Sequence, residues 1–593
     1  MIGLSLQHDS RARSSKARLL ALFLGFSVFI HGLYYPQEWL LFGFVLSAYA
    51  LWVHLPKRSD LGLKKPFAFG QTDYLFLGLL FFSLVGILHP VRLVDGLLEA
   101  LQWGILWLVY RLGIQISSDE TVKKQLMQYI EWLAVGIALI GWLPWVSKVG
   151  GRLSSVFGYP NAAAAFLGAV LLIHPRRRLI FIWLAISLLG TGSRGAVGLF
   201  LIVFIGRLWI GRTFQSKVTG RINYFKGMVR LLVGGAGTAL MLCYYRPAWE
   251  NLTAWGFSTS SWQERLIYFK DGLKLAWNSG GLPQAGGWWA FPTVQTFPYW
   301  TADPHSGFIH ILLNQGVPGL MGVGIWGGLV LAQAWMTWRN NRMPANSRLE
   351  LEESKTRLQV CSALIFLVLH SLVDADFSFG ALGSLFWLLF GSLQIGNDPF
   401  KTNFSKPNQL LYSVGKMGIL GLSLTVFLSC GAGLLKPALL KSAQIWNAQA
   451  VQYGEQNPNK SSELWGRSLK WDQTQIEARR EVAEYLLQTG NLEAGLESVK
   501  EVLSWQPFEL GAYEWGQSVV WDAAEVYRQE HPETVMLLYR WVENVPGTIE
   551  GRLVNLNSSE RRLWQGHKNF LPSQHIQLLA EYARQRQLTQ LLP

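Results

Sequence analysis

The sequence predicts an all-α polytopic membrane protein of about thirteen transmembrane helices, followed by an extracytoplasmic α-helical C-terminal domain. Three observations predict it. Half of the 593 residues are hydrophobic and only 15% are charged, where soluble chains carry about 25%. Apolar runs recur at the roughly 20-residue length that crosses about 30 Å of hydrocarbon. Basic residues gather in alternate loops between those runs, as inside-facing loops require.

The apolar runs lie near 17–35, 37–55, 72–89, 94–115, 127–147, 158–174, 178–192, 194–211, 228–245, 308–338, 357–374, 377–396 and 413–435. The first follows Arg11, Arg13, Lys16 and Arg18 as a signal peptide would, but lacks a clear small-residue cleavage site and reads as a retained span. With the N-terminus inside, the inner loops hold Lys57, Arg58, Lys64 and Lys65; Lys123 and Lys124; Arg176, Arg177 and Arg178; Arg212, Lys217, Arg221 and Lys226; Arg339, Arg342 and Arg348; and Lys401 and Lys406. The short outer loops hold little beyond Arg92, Lys148, Arg152 and Arg194. The long loop 246–307 and the tail 436–593 then both lie outside. The chain therefore divides into a transmembrane domain, 1–435, and an outer domain, 436–593. The expected location is the cytoplasmic membrane.

The 52 basic and 38 acidic residues give a net charge of +14. Because that excess is spread through inter-helix loops, it points to a lipid bilayer and not to nucleic acid. Cys243, Cys361 and Cys430 have no metal-ligand or disulfide spacing. The tail is polar and helical by period. Leu486, Gly490, Gly495, Val502 and Pro507 fall on the spacing of one tetratricopeptide-like unit, with Gly495 where alanine is usual; a helical domain with a single chance match is the alternative.

Arginines on the outer side oppose the charge trend. Arg152 precedes a span in Gly-Arg-Leu-Ser-Ser-Val-Phe-Gly-Tyr-Pro-Asn, Arg194 sits between two spans in Gly-Ser-Arg-Gly, and Arg265 lies in the long loop. Arginines at a membrane edge are costly and tend to face a cavity or partner, and a guanidinium fork fits phosphate bidentately. Three of them point to an anionic, membrane-bound ligand. Each alone is more simply explained by snorkelling to lipid headgroups or by pairing with a carboxylate such as Glu264 or Asp271. His305 ends the long loop as a helix opens, where the helix dipole favours a neutral imidazole able to accept a hydroxyl proton. A backbone-capping role is the plainer alternative. His310 faces elsewhere. His370 nears the outer end of a span with Asp374 and Asp376 just beyond; these suit orienting a base, binding a metal or capping a helix hairpin. The long loop carries Trp249, Trp255, Trp262, Trp277, Trp288, Trp289 and Trp300, suited to sugar stacking or to headgroup anchoring.

Together these residues resemble the O-antigen ligase and polymerase superfamily over roughly 130–395. The resemblance rests on the run Arg152 to Asn161, on Gly192-Ser193-Arg194-Gly195, on Arg265 opening an amphipathic helix, on His305 with Gly316 beyond, and on Leu369 to Asp374. The family often has His-Asn where this chain has His305-Ser306. The resemblance implies a GT-C-like, inverting, metal-independent glycosyltransferase without a cofactor. Its donor would be a glycan on undecaprenyl diphosphate, and its acceptor a hydroxyl of a glycan, lipid or protein. It assigns His305 as general base and Arg152, Arg194 and Arg265 as diphosphate ligands. Asn161, Ser193, His370 and Asp374 would support them. A lipid-linked glycan flippase or other transporter is the alternative, though the two halves show no hydropathy symmetry. A membrane scaffold would leave the outer arginines unexplained.

Overall fold

The structure, a computed structural model, describes residues 2–54, 69–117, 119–146, 148–173, 177–219, 259–340, 348–393 and 409–591. The apolar run at 228–245, Cys243, Trp249 and Trp255 lie outside the described residues, as do Lys57, Arg58, Lys64, Lys65, Arg176, Arg221, Lys226, Arg342, Lys401 and Lys406.

Every regular element among the described residues is helical, as the composition predicts. The first part contains α1 (Ile2–Phe29), α2 (Pro36–His54), α3 (Gln71–Gly86), α4 (Leu93–Ile116), α5 (Glu120–Trp142), α6 (Pro160–Ile173), α7 (Arg178–Gly190) and α8 (Arg194–Thr219). After α9 (Thr259–Asn278) come α10 (Gly307–Asn314), α11 (Gly316–Asn340), α12 (Arg348–Ser371), α13 (Gly380–Leu393) and α14 (Gln409–Leu435). By length and composition, two helices among the described residues can cross a membrane: Leu93–Ile116 and the Val414–Leu435 part of α14. Five shorter apolar helices accompany them: Gln71–Gly86, Pro160–Ile173, Arg178–Gly190, Gly316–Ala332 and Gly380–Leu393.

Several boundaries differ from the sequence reading. The first apolar run ends early, because His31, Gly32 and Leu33 adopt positive φ in the turn before α2. The run at 308–338 is not one helix: Gly316, at φ +68°, breaks it into α10 and α11. A side chain at Gly316 would meet the carbonyl oxygen of Gly281 at 2.7 Å. The runs at 127–147 and 357–374 stop as helices at Trp142 and Ser371.

One continuous apolar core joins α1, α2, α4, α5, α6, α12 and α13. α13 packs on α4, α14 on α2, α12 on α6, and α1 on α5. The α4–α13 crossing is set by Gly113 and Gly391, where a Cβ on Gly391 would lie 2.5 Å from the Tyr110 carbonyl oxygen. Small residues of this kind let two helix backbones approach closely.

A buried polar network fastens α10 to this bundle. Glu99 of α4 pairs with His310 at 3.0 Å and accepts from Gln315 at 3.1 Å and Trp103 at 3.0 Å; Gln315 also donates to Ser83 of α3 at 2.9 Å.

The tail forms α15 (Ser442–Tyr453), α16 (Pro458–Trp471), α17 (Ile476–Gln488), α18 (Leu492–Trp505), α19 (Leu510–Val526), α20 (Pro532–Val554), α21 (Ser558–Leu563) and α22 (Gln574–Leu591). Consecutive helices from α15 to α20 pack on one another, so helical pairing extends well beyond the single unit read at 483–507. Gly495 is explained by that packing: a Cβ there would lie 2.6 Å from Leu487 Cδ2. The tail meets the first part directly. Gln473 donates its backbone N–H to the Val91 carbonyl at 2.8 Å, and Thr296 donates to Glu560 at 2.7 Å.

Candidate functional site

Four distant stretches of chain meet at the Asp374 carboxylate, which is only 2% exposed. Asp374 lies just past the end of α12. Its Oδ2 accepts from Arg265 Nη2 and from Asn161 Nδ2, both at 2.7 Å. Its Oδ1 accepts from the Tyr159 hydroxyl at 2.7 Å and from the Ala375 backbone N–H at 2.9 Å. Asn161, in the first turn of α6, relays the network outward, because its Oδ1 accepts from Arg152 Nη2 at 2.7 Å. Arg152 Nε also donates to the Thr191 carbonyl at 2.8 Å, tying the loop before α6 to the end of α7.

Burial lowers the Arg152 pKa, and the charges of Arg265 and Arg194 push it the same way. Arg194 thus belongs to the same electrostatic neighbourhood; it is exposed at the start of α8, directly after the buried Ser193. Three guanidiniums thus act in one neighbourhood, facing the Asp374 carboxylate and, from Arg265, the charge of Glu264. Such a cluster attracts an anion and is relieved by one.

His305 completes the group. It lies just outside α10 and not in its first turn, since Ser306 is the N-cap and its hydroxyl accepts from the Ile309 N–H at 3.4 Å. Its backbone takes a positive φ of 52°, stabilised by donation from its N–H to Asp303 Oδ1 at 2.6 Å. Ser378 holds the other Asp303 oxygen. The imidazole packs against Tyr268 of α9, with ring centroids 5.8 Å apart, and lies 6.3 Å from the Tyr159 ring. Burial raises Tyr268 to about 12, so it forms a neutral wall. His305 Nδ1 is buried without a hydrogen-bond partner, 3.9 Å from Asp374 Oδ1. That distance is too long for a hydrogen bond, but it aims the nitrogen at the carboxylate. With Nδ1 buried and the side chain 23% exposed, Nε2 is the nitrogen an incoming hydroxyl can reach.

Other expectations are corrected. His370 does not orient His305: its Nδ1 pairs with the buried Asp376 carboxylate at 2.6 Å. The two aspartates therefore diverge, Asp374 toward the arginines and Asp376 toward His370. Among the described residues no group of three or more histidine, cysteine, aspartate or glutamate side chains is placed to hold a metal ion. Of the two acidic residues suggested as arginine partners, Asp271 instead accepts from the Tyr299 hydroxyl at 2.7 Å, while Glu264 stays in electrostatic reach of Arg265 and His305, and the hydrogen bond of Arg265 goes to Asp374. The tryptophans divide. Trp288 is buried and donates to the Thr301 carbonyl at 3.0 Å, and Trp289 lies under the Arg92 guanidinium at 4.5 Å. Trp262, Trp277 and Trp300 are exposed. Tyr159 escaped the sequence reading, although it stands two residues before Asn161.

Asp271 bears on the stability of α9, the helix that presents Arg265. Burial raises its pKa from 3.8 to about 6, and the Tyr299 hydrogen bond only partly offsets this. The folded carboxyl therefore keeps its proton at pH values where the unfolded one has lost it. Stability falls as pH rises from about 4 to about 6 and stays at the lower level above that, by on the order of 3 kcal/mol. Hydrogen exchange across 259–278 should show greater protection at pH 5 than at pH 7 after correction for intrinsic rates. Asp271→Asn should remove the difference; an unchanged pH profile in that variant would refute the assignment.

No protein-family model matches this chain, and no curated protein matches it.

Proposed function

We propose that the protein is an inverting glycosyltransferase at the outer face of the cytoplasmic membrane. It transfers a glycan from undecaprenyl diphosphate to an acceptor hydroxyl of a glycan, lipid or protein. The observation that carries this reading is the gathering of Arg265, His305 and, through Asn161, Arg152 around Asp374, with Arg194 in electrostatic reach of Arg152. The reading also takes the thirteen apolar runs as membrane spans, with the N-terminus inside and the tail outside.

In this reaction His305 Nε2 takes the proton of the acceptor hydroxyl, with Nδ1 turned toward Asp374. The acceptor oxygen bonds to the anomeric carbon while the bond from that carbon to the diphosphate oxygen breaks. The bonding pair leaves on the diphosphate, where Arg152, Arg194 and Arg265 stabilise the growing charge. Preorganised guanidiniums act best where charge develops, and a lipid diphosphate departs without a strong acid. Attack opposite the leaving group inverts the anomeric configuration.

Purified protein incubated with lipid-linked glycan and a panel of glycan, lipid and peptide acceptors should release polyprenyl diphosphate and form a product of inverted configuration. Retention of configuration would refute the single displacement, and absence of transfer to every acceptor class would refute the activity.

A further inference from the structure

Resting on that reading, we infer that the outer face of α9 is a track for the polyprenyl chain of the donor. Trp262, Leu266, Leu273 and Trp277 are 51%, 47%, 52% and 85% exposed. At 100° per residue they fall within about 60° of one another, forming one apolar stripe along the helix. The stripe spans sixteen residues, from Trp262 to Trp277, and its fifteen steps of 1.5 Å cover about 22 Å. Arg265 is offset from Trp262 by about 60° around the same helix and reaches Asp374 at 2.7 Å. The opposite flank of Arg265 carries the buried Tyr268, stacked on His305. Going round α9, one therefore meets the base, then the anion-binding guanidinium, then exposed hydrocarbon. A lipid-linked donor has the same order: reacting carbon, diphosphate, chain. Large apolar side chains exposed in one row are unfavourable in water unless something covers them, and a prenyl chain tethered through its diphosphate to Arg265 starts at the edge of this row.

The test compares three probes in nanodiscs: undecaprenyl diphosphate, geranyl diphosphate and inorganic pyrophosphate. The protein is used as wild type, as Leu266→Ser/Leu273→Ser and as Trp262→Ala. These side chains are on the surface, so the fold is retained. Wild type should bind undecaprenyl diphosphate at least about tenfold more tightly than geranyl diphosphate. Both stripe variants should lose most of that chain-length preference while binding pyrophosphate as wild type does. Trp262→Phe should restore it, because an aromatic face remains. If the variants keep the full preference, or lose affinity equally for all three probes as a stripe merely resting on the bilayer would, the track is wrong. If instead wild type fails to bind pyrophosphate, or Arg265→Ala binds it unchanged, the fault lies with the proposed donor site.

Discussion

Replacing His305 by asparagine is expected to lower glycosyl transfer about 10²–10⁴-fold, the range typical of a lost general base, with little loss of donor affinity. Asparagine is the informative substitution. His305 holds a φ of +52°, and asparagine tolerates the left-handed region better than alanine does. The Asp303 hydrogen bond is made by the backbone N–H, so it survives. What disappears is the ring that packs on Tyr268 and presents Nε2. A steady-state assay should therefore show the loss in kcat with donor KM changed only slightly. A variant with wild-type kcat would remove His305 from the chemistry.

Asp374→Asn is the second large effect. The carboxylate accepts from Arg265, Asn161 and Tyr159 while almost fully buried. An amide of the same shape carries no charge and offers two donors to a site already full of donors. Removing one member of a buried charged pair costs about 3–5 kcal/mol, mostly because the remaining charge is left uncompensated. The variant should unfold at a lower temperature and lose transfer by more than about 100-fold. It should also respond to anions with a particular sign: pyrophosphate should raise its melting temperature more than it raises that of wild type, by replacing the lost negative charge. Equal stabilisation of the two proteins would mean that Asp374 does not balance the arginine cluster.

The parts of this arrangement legible in the sequence were those that break a local rule. Arg152, Arg194 and Arg265 stood out because they oppose the charge bias of the loops, and His305 because it ends a long loop beside a helix start. The hub was less legible. Asp374 pairs with partners 109 to 215 residues away, and no local pattern separates it from Asp376, which turns to His370 instead. Tyr159 belongs to the run from Arg152 to Asn161 but reads as an ordinary interfacial aromatic until its hydroxyl is seen on Asp374. Hydropathy identified the α10–α11 stretch as apolar and could not show its break, because Gly316 is one of many glycines there and its role depends on a close approach to Gly281. The tail's helical period was visible, yet its succession of pairs was not, since their contacts come from Leu496, Val499 and Val520 in irregular spacing and not from a repeated signature.

The central claim is that three guanidiniums and one imidazole share a single diphosphate lipid while performing different tasks. Titrating undecaprenyl diphosphate into the His305→Asn and Arg265→Ala proteins side by side, by thermal shift in nanodiscs, tests it most directly. Near wild-type affinity is expected for the first and at least about tenfold weaker binding for the second. Equal affinities in the two variants, or a loss confined to His305→Asn, would contradict it.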